Sequence, residues 1–229
     1  MDTVIFDLDG TLADTSGDLI AAANACFTDL GHGSPLDPVN DMAVAFAGGR
    51  AMLGLGFARC GSNADESVVD REFPLFLAHY RRNIDVFTTL YPGVAAALKE
   101  LRNNGYALGV CTNKPVELAN ILLERLGIGS FFDVVLGADS LDVKKPHKRH
   151  LLETIARLGG DAGRAVLIGD TVTDRQAAAG AGVPCVLVSF GPVGLGVRDL
   201  NPEATLAHFD DLGALIAGLL PPDAVARHG

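Results

Sequence analysis

The chain has 229 residues, 48% of them hydrophobic and 20% charged, and its formal net charge is −10. This apolar content excludes a disordered chain, and no uninterrupted apolar run reaches the roughly 20 residues of a transmembrane helix. The negative charge argues against nucleic acid or an anionic membrane surface as the main partner. The length suits one large domain, or a domain that carries an insert.

Short apolar runs predict the strands of a sheet, and each run is nearly continuous rather than alternating, as is typical of parallel strands covered on both faces. Because strand and helix alternate from residue 91 onward, we predict an α/β fold with a doubly wound parallel sheet. The predicted strands are 3–6, 107–111, 133–136, 165–168 and 185–189, and the predicted helices are 94–103, 116–126, 150–158 and 175–179.

The interval between the first and second strands breaks this alternation. It contains no convincing strand, but it carries apolar residues at helical spacing. We therefore predict that residues 15–90 form a helical cap inserted into an α/β core of residues 1–14 and 91–229. The terminal segment 221–229, which begins with proline, is predicted to be frayed. The helical segments of the insert are 18–30, 40–59 and 67–84.

Cysteine usage and the amino-terminal residues bear on the compartment. The chain has four cysteines, widely spaced and without a C-x-x-C pair, so reduced structural thiols are expected. The first residues lead directly into a strand-like run, without a basic segment, an apolar signal region or a small-residue cleavage site. We therefore expect the protein in the cytoplasm.

The first predicted strand is followed by the sequence DLDGT, residues 7–11. Side chains two apart on a strand point the same way, so Asp7 and Asp9 are expected to face one point, and Gly10 lets the chain turn. An Asx-turn, a helix cap and the start of an EF-hand loop are the alternatives. Leu12 stands where an EF-hand loop needs glycine, which disfavours the last of these.

Other predicted strands also end in polar residues. The carboxyl ends of parallel strands are where doubly wound folds build their sites. We therefore expect an acidic cluster, a hydroxyl group and a lysine to meet at one edge of the sheet. These residues are Thr112 and Asn113 after the second strand, Lys144 and Lys145 beyond the third, and Asp170 and Asp174 after the fourth.

An acidic cluster of this kind has to be neutralised. Two like charges about 4 Å apart repel by about 4 kcal/mol at an effective dielectric constant near 20. The four aspartates of the predicted cluster therefore cannot all stay ionised unaided; they are Asp7, Asp9, Asp170 and Asp174. A hard divalent cation resolves this conflict, and oxygen-only ligands suit Mg²⁺ better than Zn²⁺. His147 and His150 have H-x-x-H spacing, but we expect both to face solvent at a helix start.

The order and spacing of these motifs resemble those of the haloacid dehalogenase-like hydrolases, over roughly residues 1–192. Within that superfamily the chain is most similar to the phosphoglycolate phosphatase group, whose motifs are D-G-T-L-x-D, T-N-K and K-P-x-P. The first two motifs are present at residues 9–14 and 112–114. In the third, Lys148 stands in place of the second proline, which should loosen the loop without removing a reactive group.

The resemblance implies a Rossmann-like catalytic core and an aspartyl-phosphate intermediate. Asp7 would be the nucleophile, and Asp9 would protonate the leaving alkoxide and then deprotonate the attacking water. Thr112 and the backbone N–H of Asn113 would hold the phosphoryl oxygens. Lys145 would add fixed positive charge beside the nucleophile.

The same resemblance implies a magnesium site. Asp174 would act through water or by orienting Lys145, unless it only caps the helix that follows. Lys144 competes with Lys145, but the residue before a proline is held extended, which favours Lys145. The implied ligands of Mg²⁺ are the side chain of Asp7, the carbonyl of Asp9, Asp170 and Asp174.

The insert would act as a mobile cap that closes over the site and selects the substrate. Gly48, Gly49 and Arg50 stand at a break inside the insert and are similar to the cap loop of the family. Arg50 would bind a substrate carboxylate, such as that of 2-phosphoglycolate, or would be a solvated helix arginine.

We therefore predict a Mg²⁺-dependent phosphatase that acts on a small phosphorylated metabolite, with 2-phosphoglycolate as the expected substrate. A β-phosphoglucomutase-like phosphomutase or a dehalogenase on the same fold is an alternative, but Thr11 weighs against the mutase and Asp9 against the dehalogenase. A phospho-accepting signalling module similar to a receiver domain is another, although receivers are shorter and lack a helical insert. Neither nucleic acid nor a membrane is an expected partner, and the sequence sets no oligomeric state.

Overall fold

The computed structural model of the chain describes residues 1–62, 65–191 and 193–220, so the segment 221–229, predicted to be frayed, lies outside the described residues. Within these ranges, none of the helices is long and apolar enough to cross a bilayer.

The strands are β1 (Thr3–Phe6), β2 (Ala13–Asp14), β3 (Thr89–Leu90), β4 (Ala107–Cys111), β5 (Val134–Leu136), β6 (Ala165–Gly169), β7 (Cys185–Val188) and β8 (Ala204–Leu206). The α-helices are α1 (Ser16–Asp29), α2 (Met42–Phe46), α3 (Gly49–Arg59), α4 (Glu66–Arg82), α5 (Val94–Asn103), α6 (Val116–Arg125), α7 (Lys148–Arg157), α8 (Val172–Ala181) and α9 (Leu212–Leu219).

The main sheet is parallel throughout. Six of the described strands form it in the order β5-β4-β1-β6-β7-β8, and each neighbouring pair runs in the same direction. Every residue of β1, β4 and β6 is buried, because strands at the centre of such a sheet are covered on both faces. The predicted class, an α/β fold with a doubly wound parallel sheet, is confirmed.

Helix α7 packs against one face of this sheet. Its apolar residues Leu151 and Ile155 recur at helical spacing and belong to one buried cluster with Ile5 of β1 and Leu167 of β6. Burial of each such side chain stabilises the fold by about 1.5–3 kcal/mol. The packing of this helix therefore holds the central strands, whose carboxyl ends carry the predicted site residues.

Two elements near the carboxyl end, β8 and α9, were not predicted. Strand β8 has three residues, of which only the last is buried, so its sequence carries almost no periodicity. Helix α9 has the sequence LGALIAGL, and its two glycines lower the helical propensity of an already short segment. Pairing with β7 completes the sheet at this edge, so tertiary contacts rather than local preference define β8.

The chain divides into two compact units. One comprises Met1–Leu12 with the chain from Leu90 onward, and the other comprises Ala13–Thr89. The second unit contains α1 to α4. The helical segment predicted over 40–59 is observed as two helices, α2 and α3, because Gly48 lies between them with a φ of 99°. This backbone conformation favours glycine and interrupts a right-handed helix.

Gly56 of α3 provides the space in which Phe27 of α1 packs. A Cβ atom at residue 56 would lie 2.1 Å from Cε2 of Phe27, whereas a Cβ at Gly54 of the same helix would have nothing within 4 Å. We expect Gly56→Ala to lower the free energy of unfolding by about 1–3 kcal/mol, because Phe27 has to move. The control, Gly54→Ala, should raise it by up to about 1 kcal/mol, since alanine favours helix. Thermal unfolding measures both, and stabilisation by both substitutions would contradict this account.

Candidate active site

The carboxyl ends of three neighbouring strands bring the predicted residues to one edge of the sheet. Asp7 directly follows β1, Thr112 follows β4 and Asp170 follows β6. Strand β1 lies between β4 and β6. Because the strands are parallel, the residues that follow them meet at the same edge.

Lys145 is a buried cation between two carboxylates. Its Nζ lies 2.9 Å from Oδ2 of Asp7 and 2.6 Å from Oδ1 of Asp174, and its side chain is fully buried. Burial acts to lower the pKa of Lys145, but the negative charges of Asp174 and Asp7 outweigh burial and raise that pKa. Lys145 therefore stays positively charged. The neighbouring Lys144 is exposed.

The carboxyl group of Asp7 lies in a low-dielectric environment. Burial raises the pKa of Asp7 to about 6, although the ammonium of Lys145 acts in the opposite direction, and the charges of Asp174 and Asp9 add to the rise. The backbone N–H of Leu8 donates a hydrogen bond of 2.7 Å to Oδ1 of Asp7. At pH 7 the ionised form of Asp7 therefore predominates, held by one cation and one backbone amide.

Asp174 both contacts Lys145 and caps a helix. While its Oδ1 contacts Lys145, its Oδ2 accepts hydrogen bonds from the backbone N–H and the hydroxyl of Thr171, at 3.1 and 2.6 Å, at the start of α8. Asp174 can fold back in this way because Gly169 has no side chain: a Cβ there would lie 2.4 Å from Cγ of Asp174. The two roles that the sequence offered for Asp174, orienting the lysine and capping the helix, thus coexist.

Asp170 carries a buried oxygen that no described residue reaches with a hydrogen bond. The hydroxyl of Thr11 donates to its Oδ1 at 3.1 Å, but its Oδ2 has no partner within the described residues. Burial raises the pKa of Asp170 well above the usual range, and the charges of Asp174 and Asp7 raise it further. An unpaired buried carboxylate oxygen costs free energy unless a cation compensates it.

These carboxylates form a group that can hold a metal ion. Within the described part of the chain, one oxygen each of Asp7, Asp170 and Asp174 lie within 4.8 Å of one another, and all three residues are buried. Carboxylate oxygens are the ligands of hard divalent cations. The unpartnered Oδ2 of Asp170 and the mutual repulsion of the group fit a bound cation.

Asp9 lies outside this carboxylate group and has its own lysine. Its Oδ1 lies 2.9 Å from Nζ of Lys114, whose side chain is only 3% exposed. Lys114 belongs to the T-N-K motif and Thr11 to the D-G-T-L-x-D motif, but neither side chain was predicted to have a role in the site. Because both residues lie within these motifs, their motif positions could have indicated a role in the site.

Thr112 and Asn113 hydrogen-bond to the end of β5 and to the backbone of Lys145. The backbone N–H of Thr112 donates to the carbonyl of Leu136 at 3.0 Å, and its hydroxyl accepts from the backbone N–H of Lys114 at 3.2 Å. The side-chain amide of Asn113 donates to the carbonyl of Lys145 at 3.0 Å. Residues of this motif therefore fix the backbone from which both lysines project.

The comparisons with known proteins show the family of the chain. The chain matches the family of haloacid dehalogenase-like hydrolases over residues 4–188, which include all of the residues placed above. The chain belongs to the haloacid dehalogenase-like hydrolases. The family resemblance inferred from the motifs is confirmed.

Proteins similar to this chain over most of their length are named phosphoglycolate phosphatases. The chain is 38% identical over 214 residues to the phosphoglycolate phosphatase of Mesorhizobium japonicum, covering 93% of this chain and 94% of that protein. It is 38% identical over 211 residues to the phosphoglycolate phosphatase of Caulobacter vibrioides, covering 92% and 88%. A crystal structure described as a predicted phosphoglycolate phosphatase, from Haemophilus somnus, has a TM-score of 0.84 at 24% identity and covers 94% of this chain and 97% of that one. This hydrolase is an enzyme that cleaves phosphoric monoesters.

Arg50 lies in the second unit of this hydrolase, at the start of α3. Its guanidinium pairs with Asp70 and lies 4.5 Å from the ring centroid of Phe73. Its side chain is 52% exposed. The guanidinium therefore has partners on its own unit and also reaches solvent.

The position of His150 shows that the prediction of two solvent-facing histidines in the H-x-x-H pair is wrong. His147 is exposed, but His150 is fully buried on the inner face of α7. Its Nε2 lies 3.0 Å from the carbonyl of Gly137 and its Nδ1 lies 3.5 Å from Sγ of Cys111. Burial lowers the pKa of His150, and the charge of Lys145 lowers it further. The helix begins at Lys148, earlier than predicted, which turns position 150 toward the sheet.

Proposed function

We propose that this hydrolase is a Mg²⁺-dependent phosphatase whose substrate is a small phosphate ester, 2-phosphoglycolate in particular. The observation that carries the proposal is the placement of Lys145 between Asp7 and Asp174, two of the three aspartates that form the metal-binding group with Asp170. A nucleophile, a fixed cation and a metal-binding group thereby lie together. The names of the relatives support the substrate.

Asp7 is proposed as the nucleophile. Its ionised carboxylate attacks phosphorus in line with the leaving oxygen, so that a bond from Asp7 to phosphorus forms as the ester bond breaks. Lys145 stabilises the charge that develops on the phosphoryl group without having to reorganise, because Asp174 and Asp7 already hold it in place. Thr112 and the backbone N–H of Asn113 are proposed to bind the phosphoryl oxygens.

Asp9 is proposed as the general acid and base. It gives its proton to the alkoxide as the ester bond breaks, and it then takes a proton from the water that attacks the aspartyl phosphate. The bond between Asp7 and phosphorus breaks in that second step, which restores the carboxylate and releases phosphate.

The proposed ligands of Mg²⁺ are Asp7, Asp170, Asp174 and the carbonyl of Asp9. When bound, the ion neutralises the carboxylates and withdraws charge from the phosphoryl oxygens. The arrangement favours Asp170 over Asp174 as a direct ligand, because both oxygens of Asp174 already contact protein groups, whereas Oδ2 of Asp170 has no partner within the described residues.

The substrate and the metal are tested by phosphate release from a panel of esters. The panel contains 2-phosphoglycolate, ethyl phosphate, p-nitrophenyl phosphate and sugar phosphates, each with Mg²⁺ and with the ion removed by a chelator. We expect release only with Mg²⁺, and the highest kcat/KM with 2-phosphoglycolate. If Arg50 binds the substrate carboxylate, Arg50→Ala should reduce kcat/KM for 2-phosphoglycolate about 10-fold or more and leave ethyl phosphate unchanged. Full activity after chelation would contradict the proposed metal.

The same panel separates the alternatives. Isomerised sugar phosphate without net phosphate release would favour a phosphomutase. A phosphorylated protein that persists for minutes, with no turnover of any ester, would favour a phospho-accepting signalling module. The cytoplasmic location expected from the sequence stays a prediction.

A further inference from the structure

Lys114 is a second buried cation at the active-site edge. Its side chain is 3% exposed, and its Nζ lies 2.9 Å from Oδ1 of Asp9, a carboxylate that is itself 21% exposed. Placing an ammonium group in the interior costs free energy unless an opposite charge compensates it. A lysine at an exposed position would avoid this cost, so the buried position of Lys114 calls for a function.

The backbone of Lys114 is held on both sides. Its N–H donates to the hydroxyl of Thr112 at 3.2 Å, and its carbonyl accepts from the N–H of Ala138 at 2.9 Å. The side chain therefore projects from a fixed point toward Asp9.

The site thus contains two pairs of a lysine and an aspartate. Lys145 lies 2.9 Å from Asp7, the proposed nucleophile, and Lys114 lies 2.9 Å from Asp9, the proposed acid and base. The contact of Lys145 with Asp174 gives that cation two carboxylates. Each of the two carboxyl groups with a proposed chemical role is therefore paired with a different lysine.

We propose that Lys114 is a positioning residue for Asp9. This inference rests on the proposed function. The ammonium binds Oδ1 both when Asp9 is ionised and when it carries a proton on Oδ2, and thereby fixes the plane of the carboxyl group in both states. The proton that moves to the alkoxide is the one on Oδ2. As the bond from phosphorus to the leaving oxygen breaks, this proton passes to that oxygen. In the second step the same carboxyl oxygen takes a proton from the attacking water.

The test uses substrates that differ in their need for a proton. Alkoxides are poor leaving groups, so 2-phosphoglycolate and ethyl phosphate need the general acid, whereas p-nitrophenolate leaves without one. The parameter kcat/KM reports the steps up to formation of the aspartyl phosphate. In the full-length protein with Mg²⁺, we expect Lys114→Met to reduce kcat/KM about 10- to 100-fold for both alkyl esters and less than about 3-fold for p-nitrophenyl phosphate.

Control variants make the result specific. Lys99→Met makes the same change at an exposed position of α5 and should change none of the three values. Asp9→Asn should show the same dependence on the leaving group as Lys114→Met. Lys114→Arg, which keeps a cationic donor, should restore most of the activity toward the alkyl esters, and this measurement stands even if Lys114→Met folds poorly.

Several outcomes would overturn the proposal. Equal losses with all three substrates would mean that Lys114 only maintains the site, and a loss confined to 2-phosphoglycolate would mean that it binds the substrate carboxylate. Unchanged activity in Lys114→Met would also contradict the proposed role. So would a loss of activity in Lys114→Arg as large as that in Lys114→Met. If unaltered protein hydrolyses none of the esters, the proposed function itself fails, which is a distinguishable result.

Discussion

Replacing Asp7 with asparagine should reduce the rate of phosphate release by about 10⁴-fold or more. Asparagine keeps the size of the side chain, but its amide is too weak a nucleophile to form the bond to phosphorus. The charge of Lys145 then lacks one of its two carboxylates, although Asp174 still holds the ammonium at 2.6 Å. Steady-state release of phosphate with Mg²⁺, from the ester of the panel with the highest kcat/KM, measures the change.

Asp2→Asn is the matched control for this substitution. Asp2 precedes β1 at the opposite end of the sheet, where its Oδ1 accepts a hydrogen bond of 2.7 Å from Nε of Arg164. This variant should keep the turnover of the unaltered protein. Acid quenching during turnover should trap a hydroxylamine-sensitive acyl phosphate in Asp2→Asn and none in Asp7→Asn. More than about a tenth of the activity left in Asp7→Asn would rule out Asp7 as the nucleophile.

Replacing Asp170 with asparagine should stabilise the metal-free protein while it strongly reduces activity. Asp170 is 1% exposed, and burial and the charges of Asp174 and Asp7 raise its pKa. A group whose pKa is raised on folding binds more protons in the folded state than in the unfolded state. Its contribution to stability therefore falls as the pH rises from the ordinary pKa of an aspartate to the raised pKa of Asp170. At pH 8 in a chelator, we therefore expect Asp170→Asn to raise the free energy of unfolding by about 1–3 kcal/mol.

Adding Mg²⁺ should change the order of stability of the two proteins. The unaltered protein gains stability from the ion, because a ligand that binds only the folded state stabilises it. Asp170→Asn, which lacks the oxygen proposed to bind the ion, should gain little, and its phosphate release should fall at least about 100-fold. Thermal unfolding with chelator and with Mg²⁺ measures this reversal.

Asp199→Asn is the control for the effect of removing one negative charge. Asp199 is exposed, so this variant should shift the free energy of unfolding by less than about 0.5 kcal/mol and should respond to Mg²⁺ as the unaltered protein does. If Asp170→Asn destabilises the chelated protein, the repulsion among the buried carboxylates is not the dominant effect at this position.

Both substitutions bear on the same property of the site. The three carboxylates of the metal-binding group are buried together, although each of them would be more stable in water. Lys145 compensates Asp7 and Asp174 directly, but not Oδ2 of Asp170, which has no partner within the described residues. The fold therefore gives up stability to place the three proposed metal ligands close together.

The central strands could be predicted because their sequences carry the physical signal directly. Strands β1 and β4 are observed at the predicted residues, since continuous apolar runs are stable only where both faces are covered. Strand β8 could not be predicted, because three residues with one buried position give no pattern. Its place at the edge of the sheet comes from pairing with β7.

The environment of individual side chains was harder to predict. His150 was expected in solvent, because the start of α7 was placed two residues too late; the observed start turns the ring toward the carbonyl of Gly137. The contact between Lys114 and Asp9 joins residues that are far apart in the chain. No periodicity or local motif encodes such a distance.

The α/β class, the family and the chemical types of the proposed site residues follow from the sequence, because they depend on short local patterns. The fold is needed to see that Lys145 contacts Asp7 and Asp174, whereas Lys114 contacts Asp9. It is also needed to see that one oxygen of Asp170 stays unpartnered among the described residues. The physical reason is that electrostatic pairing depends on separations of a few ångströms between strand ends, which arise only when the parallel sheet aligns them.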